Sequence, residues 1–179
     1  MKYYIVALFD KETYQVISPI QKNVSKKFRA SRNSPQPFIP LISIENPNFD
    51  KLNPIVNKLV SPYKTFKVDA NDCVYFLDQT KSVNLKLDNK GYIKTITRTI
   101  YDTLVLHGFN VKIFDDSFVF LSSAPYMHKD SKKQVLKINY PEIYDSNNFL
   151  KLKINSIEIW KLPILKKNTP LMSHQLRTV

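Results

Sequence analysis

The 179 residues are 43% apolar with 11 Phe and 10 Tyr, enough to fill one compact core, and they carry a formal net charge of +12. No run reaches the roughly 18 apolar residues of a membrane span, and the N-terminus enters a strand pattern without signal-peptide regions, so a cytoplasmic protein is expected. The charge suits phosphate backbones or acidic surfaces. Only four of the 27 cationic residues are Arg (Arg29, Arg32, Arg98, Arg177), however, and Arg is the residue favoured for bidentate phosphate recognition, so charge alone leaves nucleic-acid binding open.

In chain order, Lys2 to Phe9 reads as a strand. Asp10 is placed to cap a helix whose apolar positions Tyr14, Ile17, Ile20, Val24 and Phe28 recur at helical spacing, with Pro19 bending it. A polar stretch from Arg29 to Pro37 leads to a second strand, Phe38 to Ile44. Asp50 stands before Leu52, Ile55, Val56, Leu59 and Val60, a short helix stopped near Pro62, in which Pro54 is tolerable only close to the first turn.

Thr65 to Asp69 and Cys73 to Leu77 read as two strands, and Val83, Leu85 and Leu87 alternate with polar residues as a half-buried strand does. The longest helix spans Lys90 to His107. Asn89 is placed to cap it, Ile93, Ile96, Ile100 and Leu104 form its apolar face, and Gly108 stands at the left-handed C-terminal position. Strands follow near Phe109 to Ile113 and Ser117 to Leu121, then a polar insert, then strands Leu150 to Ile154 and Ile157 to Leu162. The last dozen residues read as a frayed tail. Cys73, the single cysteine, lies in an apolar run and reads as a buried structural thiol.

Laid against itself, the chain repeats at an offset of 80 residues: strand 2–9 falls on 82–89, helix 11–28 on 91–108, and Phe38 on Phe118. Residues 1–165 are therefore expected to form a single bilobal domain, with a repeat spanning roughly 2–44 and 82–122, and 166–179 a tail. The fold class is α+β: two pseudo-symmetric lobes, each an antiparallel sheet with helices on its outer side, facing each other across a central cleft.

Several segments, in this order, resemble the two-histidine (2′-5′ RNA ligase-like) phosphoesterases. They are Tyr3-Tyr4-Ile5-Val6-Ala7-Leu8-Phe9, Ser25-Lys26-Lys27-Phe28-Arg29, Lys81-Ser82-Val83-Asn84-Leu85-Lys86-Leu87 with Asn89-Lys90-Gly91-Tyr92-Ile93, and Ile157-Glu158-Ile159-Trp160-Lys161-Leu162. The likeness implies a strand in each lobe carrying His, any residue, then Thr or Ser. It implies one His as general base, the other as general acid on a 2′-linked or cyclic phosphodiester, and no cofactor or metal.

At those positions this chain reads Phe38-Ile39-Pro40-Leu41 and Phe118-Val119-Phe120-Leu121. Phe38 and Phe118 replace the histidines; Pro40 and Phe120 replace the hydroxyls. None of the four has a titratable proton or a side-chain donor, so the family chemistry is not expected here. His107, at a helix end, His128, in a polar loop, and His174, in the tail, have no partner at motif spacing. Gly91 and Gly108 are the only glycines, so no phosphate-binding glycine loop exists. Asp115-Asp116 reads as a turn rather than a metal site.

Two roles are open for the rings. They could form a platform on which bases stack, with Arg29, Arg32 and Asn33 reading base edges and Ser122 and Tyr126 flanking the ligand. Alternatively they fill the cleft and join the lobes. The Lys-rich insert around Lys129, Lys132 and Lys133 could touch a phosphate backbone or be an ordinary solvated loop. The function expected is a catalytically degenerate phosphoesterase-like monomer, not membrane-bound, that binds RNA or a nucleotide without turnover. One alternative is an active RNA 2′,3′-cyclic phosphodiesterase or 2′-5′ RNA ligase-like enzyme with displaced catalytic residues. The other is a structural or protein-binding module with a filled cleft.

Overall fold

A computed structural model describes residues 1–31, 33–114, 116–125, 149–166 and 169–178, with the backbone of 136–137. Its elements are β1 (Lys2–Phe9), α1 (Lys11–Lys27), β2 (Ile39–Glu45), α2 (Phe49–Val60), β3 (Phe66–Leu77), β4 (Ser82–Leu87), α3 (Tyr92–Leu106), β5 (Asn110–Ile113), β6 (Phe118–Ser123), β7 (Leu136–Lys137), β8 (Phe149–Lys161) and β9 (Met172–Gln175). No helix among the described residues is long and apolar enough to cross a membrane.

The strands run β5-β2-β1-β8-β3-β4-β6, with β7 beside β3 and β9 beside β8. Every pairing between named strands is antiparallel. The long strand β8 joins two half-sheets: residues 154–161 pair with β1, and 149–154 pair with β3. The far strand β6 then returns to the start of β2 through an isolated antiparallel bridge between Phe38 and Phe120. The chain is thus α+β, with two lobes that face each other across a central line where these ends meet.

Strand alternation divides the apolar residues between two faces. On the helix face, Ile5, Ala7, Ile42, Val68, Leu85, Val119 and Ile157 pack with Ile17, Ile20 and Val24 of α1, Leu52 and Val56 of α2, and Ile93, Ile96, Ile100 and Leu104 of α3. On the opposite, inner face, a smaller cluster gathers Val6, Leu8, Phe38, Phe118, Phe120 and Trp160.

The helix ends follow from their residues. The Asp10 carboxylate accepts the Thr13 N–H at 2.8 Å and caps α1. Asn48 caps α2 by accepting the Asp50 N–H, which leaves Pro54 in the second turn rather than the first. Gly91, not Asn89, stands at the start of α3, with φ +70 and no side-chain cap. At the other end Gly108, at φ +78, donates to Val105 and is followed by the Phe109 N–H bonded to Leu104, the paired closure that the left-handed position allows.

Three strand expectations change. The two strands expected over Thr65–Asp69 and Cys73–Leu77 form one, β3, which starts at Phe66 and carries a bulge between Ala70 and Val74. The pair expected over Leu150–Ile154 and Ile157–Leu162 likewise forms one strand, β8, which ends at Lys161. Residues expected as a frayed tail form β9, which pairs with Ser156–Ile159 on the edge that β3 leaves open, and Leu176 is buried in the main core. The apolar run of β8 needs both edges covered, and β9 supplies the missing one.

Candidate functional site

The inner face is built by strands presenting every second residue. β1 brings Tyr4, Val6 and Leu8; β8 brings Glu158 and Trp160; β6 brings Phe118 and Phe120. Pro40 lies opposite Val6 in the β1–β2 register and so shares that face. All four positions expected to hold catalytic groups therefore point inward. The structure brings Phe38 and Phe120 into direct contact: their rings stack with centroids 4.8 Å apart and 20° between planes. Trp160 leans on Phe38 at 4.8 Å, while Phe114 links Phe118 at 5.9 Å to Tyr4 at 5.2 Å.

These rings are sealed. Phe38 is 0% exposed, Phe118 1% and Phe120 8%. A stacking platform needs a free ring face, and rings this little exposed offer a base no such face. Each aromatic contact adds about 0.5–1.5 kcal/mol beyond area burial.

The polar groups bordering the rings are spent on one another. Asn84, fully buried and opposite both Tyr75 and Phe120, accepts from the Ser82 hydroxyl at 2.9 Å and donates to the Ser82 carbonyl at 3.1 Å. Ser82 in turn bonds Thr80. The Trp160 indole N–H donates to Glu158 at 2.7 Å. Burial pushes the Tyr4 and Tyr75 phenols upward, and the Asp116 charge adds to the shift at Tyr75. These phenols stay protonated near neutrality, so neither serves as a general base there.

The other expected site residues are scattered. Ser122 faces the helices, because a register shift between Val83 and Asn84 turns it away from the rings; its hydroxyl bonds Ser25 of α1. Its expected place was beside the rings, and it lies on the helix side instead. Arg29 is exposed at the end of α1, and Asn33 is exposed with its N–H on the Ser31 hydroxyl at 3.2 Å. Arg29 lines a depression of about 700 Å³ with Lys22, Lys26, Ser31, Ser34 and Lys166, none of which belongs to the aromatic cluster. Arg32, Asp115, Tyr126, His128, Lys129, Lys132 and Lys133 lie outside the described residues.

His107 is exposed and its ring bonds the Thr103 carbonyl at 2.8 Å. His174 lies on β9 opposite Ile157, a residue of the helix-face core. Neither reaches the inner face. Cys73 is half-buried rather than fully buried. Among the described residues no group of three or more His, Cys, Asp or Glu could hold a metal ion. Trp160 and Asn84 are the inner-face residues that the sequence did not single out. The signal for Trp160 was its alternation with Ile159, which marks it as facing away from the helices.

No protein-family model matches the sequence. No curated protein matches it either. Solved structures do match in fold. TT0787 of Thermus thermophilus is 13% identical, aligned over 99% of each chain with a TM-score of 0.65. Escherichia coli LigT, solved with 3′-AMP, is 12% identical over 98% of this chain and 97% of its own, with a TM-score of 0.63. A structure described as a phosphoesterase is 10% identical over 98% of both chains, with a TM-score of 0.60. The chain shares the fold of these structures over nearly its whole length.

Proposed function

We propose that this chain keeps the phosphoesterase fold without its phosphodiester chemistry, and that it binds RNA or a nucleotide without turning it over. The observation that carries this reading is the Phe38–Phe120 stack. The positions where the family resemblance places proton-transferring and phosphate-holding groups carry hydrocarbon side chains, and the rings of Phe38, Phe118 and Phe120 are buried there, with Phe38 and Phe120 stacked. General acid–base catalysis needs a titratable group within hydrogen-bond reach of the reacting oxygen, and such a group is missing from Phe38, Pro40, Phe118 and Phe120.

Binding is supported by the net charge of +12, which favours encounter with polyanions. It is supported too by the neighbours in fold, since E. coli LigT has been solved with 3′-AMP and with ATP. A ligand here would sit on the surface, not between the lobes. The buried rings also favour a second reading, a structural or protein-binding module whose filled cleft only fixes the two lobes together.

The test is direct binding of a labelled single-stranded RNA at low and moderate salt, followed by recovery of the RNA. Salt-sensitive binding with intact RNA is expected. Absence of binding at low salt would transfer the function to the second reading.

A further inference from the structure

Two helices of this chain end in the same way, and they differ in one residue. At the end of α3 the left-handed position holds Gly108, which adopts it at little cost. At the end of α1 the corresponding position holds Arg29, at φ +51. The Ala30 N–H bonds the Ser25 carbonyl at 2.8 Å and the Arg29 N–H approaches Lys26 at 3.4 Å, the same paired closure. A non-glycine residue in this region costs roughly 1–2 kcal/mol, and such strain tends to mark functional positions.

The side chain placed by that strain lines the depression of about 700 Å³ described above. Lys22 and Lys26, one turn apart on α1, line it as well, and Lys166 enters from the segment after β8. No carboxylate is among its described lining residues. Among the described residues, none of these four cations forms an ion pair.

The floor is fixed by bonds that tie α1 to β6. The Gln21 amide donates to Leu121 and Pro35 carbonyls at 2.7 and 2.8 Å, the Ser31 N–H to Ser123 at 2.7 Å, and the Ser123 N–H to the Ser34 hydroxyl at 2.9 Å. Attraction of cations to the C-terminal end of the helix dipole accounts for Lys26. It does not account for Lys22 a further turn back, for Lys166 from a different segment, or for an Arg where Gly is easiest.

Residues 22 to 29 extend about 10 Å along the helix, given a rise of 1.5 Å per residue. That is longer than one phosphate group and suits successive phosphates of a chain. We propose that this depression, outside the cleft of the fold family, is the surface on which the chain holds the phosphodiester backbone of single-stranded RNA. The site rests on the RNA-binding reading above and gives it a location. Lys22, Lys26, Arg29 and Lys166 contact the phosphates, and no base edge is read. Sequence-tolerant binding follows, since backbone contacts carry no base information.

The experiment compares the full-length protein with Lys22→Ala/Lys26→Ala, with Arg29→Gly, and with a control pair on α2, Lys51→Ala/Lys58→Ala, titrating a fluorescent single-stranded RNA across salt concentrations. Each variant's melting temperature is measured alongside. The α1 double variant should bind at least about tenfold more weakly, and its log K against log salt slope should be shallower by about 1.4, at roughly 0.7 per lost phosphate contact. The control pair should bind as the parent does. Arg29→Gly should melt higher while binding more weakly, an opposition that removal of a merely structural residue would not give. Inorganic phosphate at concentrations that leave ionic strength unchanged should compete only weakly if successive phosphates are held together; full competition would reduce the site to a single-phosphate pocket and overturn the backbone assignment. Binding by the parent that is equal in the α1 variants would overturn the location and leave RNA binding standing. No binding by the parent would overturn the RNA-binding reading itself.

Discussion

Phe120 donates its backbone N–H to the carbonyl of Phe38 at 2.8 Å while the two rings stack at 4.8 Å, so one residue pair closes the sheet by both main chain and side chain. The two positions come from opposite lobes and are 82 residues apart in sequence. Their contact turns the line between the lobes into a core. Truncating Phe38 to Ala should leave a cavity bordered by Phe120 and Trp160 and cost about 3–5 kcal/mol in urea unfolding. RNA affinity measured below the unfolding transition should be unchanged, because the ring has no exposed face to offer a base.

Ser25 and Ser122 make a matching cross-lobe contact on the helix face. Ser25→Ala should destabilise the fold by about 1–3 kcal/mol, since the fully buried Ser122 hydroxyl loses its partner. Chemical denaturation reads this directly. Ser25 also lines the basic depression, so a change in RNA binding without a change in stability would report on that depression rather than on Ser122.

Tyrosine ionisation reports the inner face and its margin. Burial holds the Tyr14 phenol well above its ordinary value of about 10, with the Glu158 charge reinforcing and the Phe9 N–H opposing the shift; Tyr4 and Tyr75 are raised as well. The folded protein holds these protons more tightly than the unfolded chain. Their contribution to stability is therefore intact below about pH 10 and is lost as pH rises from there through the raised folded values. Tyrosinate absorbance at about pH 11 should show fewer ionised groups in the folded protein than in the denatured chain, and stability should fall across the same range.

The C-terminal strand is testable by a single side chain. Leu176 is 4% exposed in the main core, so Leu176→Ala should cost about 2–5 kcal/mol. Deleting residues 172–179 should cost more and promote self-association, because it uncovers the β8 edge at Ser156–Ile159. Melting temperature and size-exclusion profile measure both effects.

The strongest periodic segments were legible in the sequence. β1 and the Asp10 cap followed from a short apolar run and a side-chain oxygen before an apolar helix face, and Gly108 followed from its place after the last apolar residue of α3. What was not legible depended on distant partners. The bulge between Ala70 and Val74 preserves one strand where the local pattern suggests two. The shift between Val83 and Asn84 sends Ser122 to the helix face, and a slip of one residue reverses the side a strand residue faces. The tail looked polar and short, and only the open edge of β8 gives it structure. At the site, the apolar character of Phe38, Pro40, Phe118 and Phe120 was visible in the sequence. Their stacking was not, because it depends on β2 and β6 meeting across the sheet. The basic depression was half visible: Arg29 stood out, but its grouping with Lys22, Lys26 and Lys166 is a product of the fold.

The central claim is loss of the fold family's chemistry, and hydrolysis of a 2′,3′-cyclic-phosphate RNA end tests it most directly. The purified protein and its His107→Ala, His128→Ala and His174→Ala variants should all leave the substrate at the uncatalysed rate. Turnover by the parent protein that is abolished by one of these substitutions would contradict the account and show that a displaced histidine still performs the reaction.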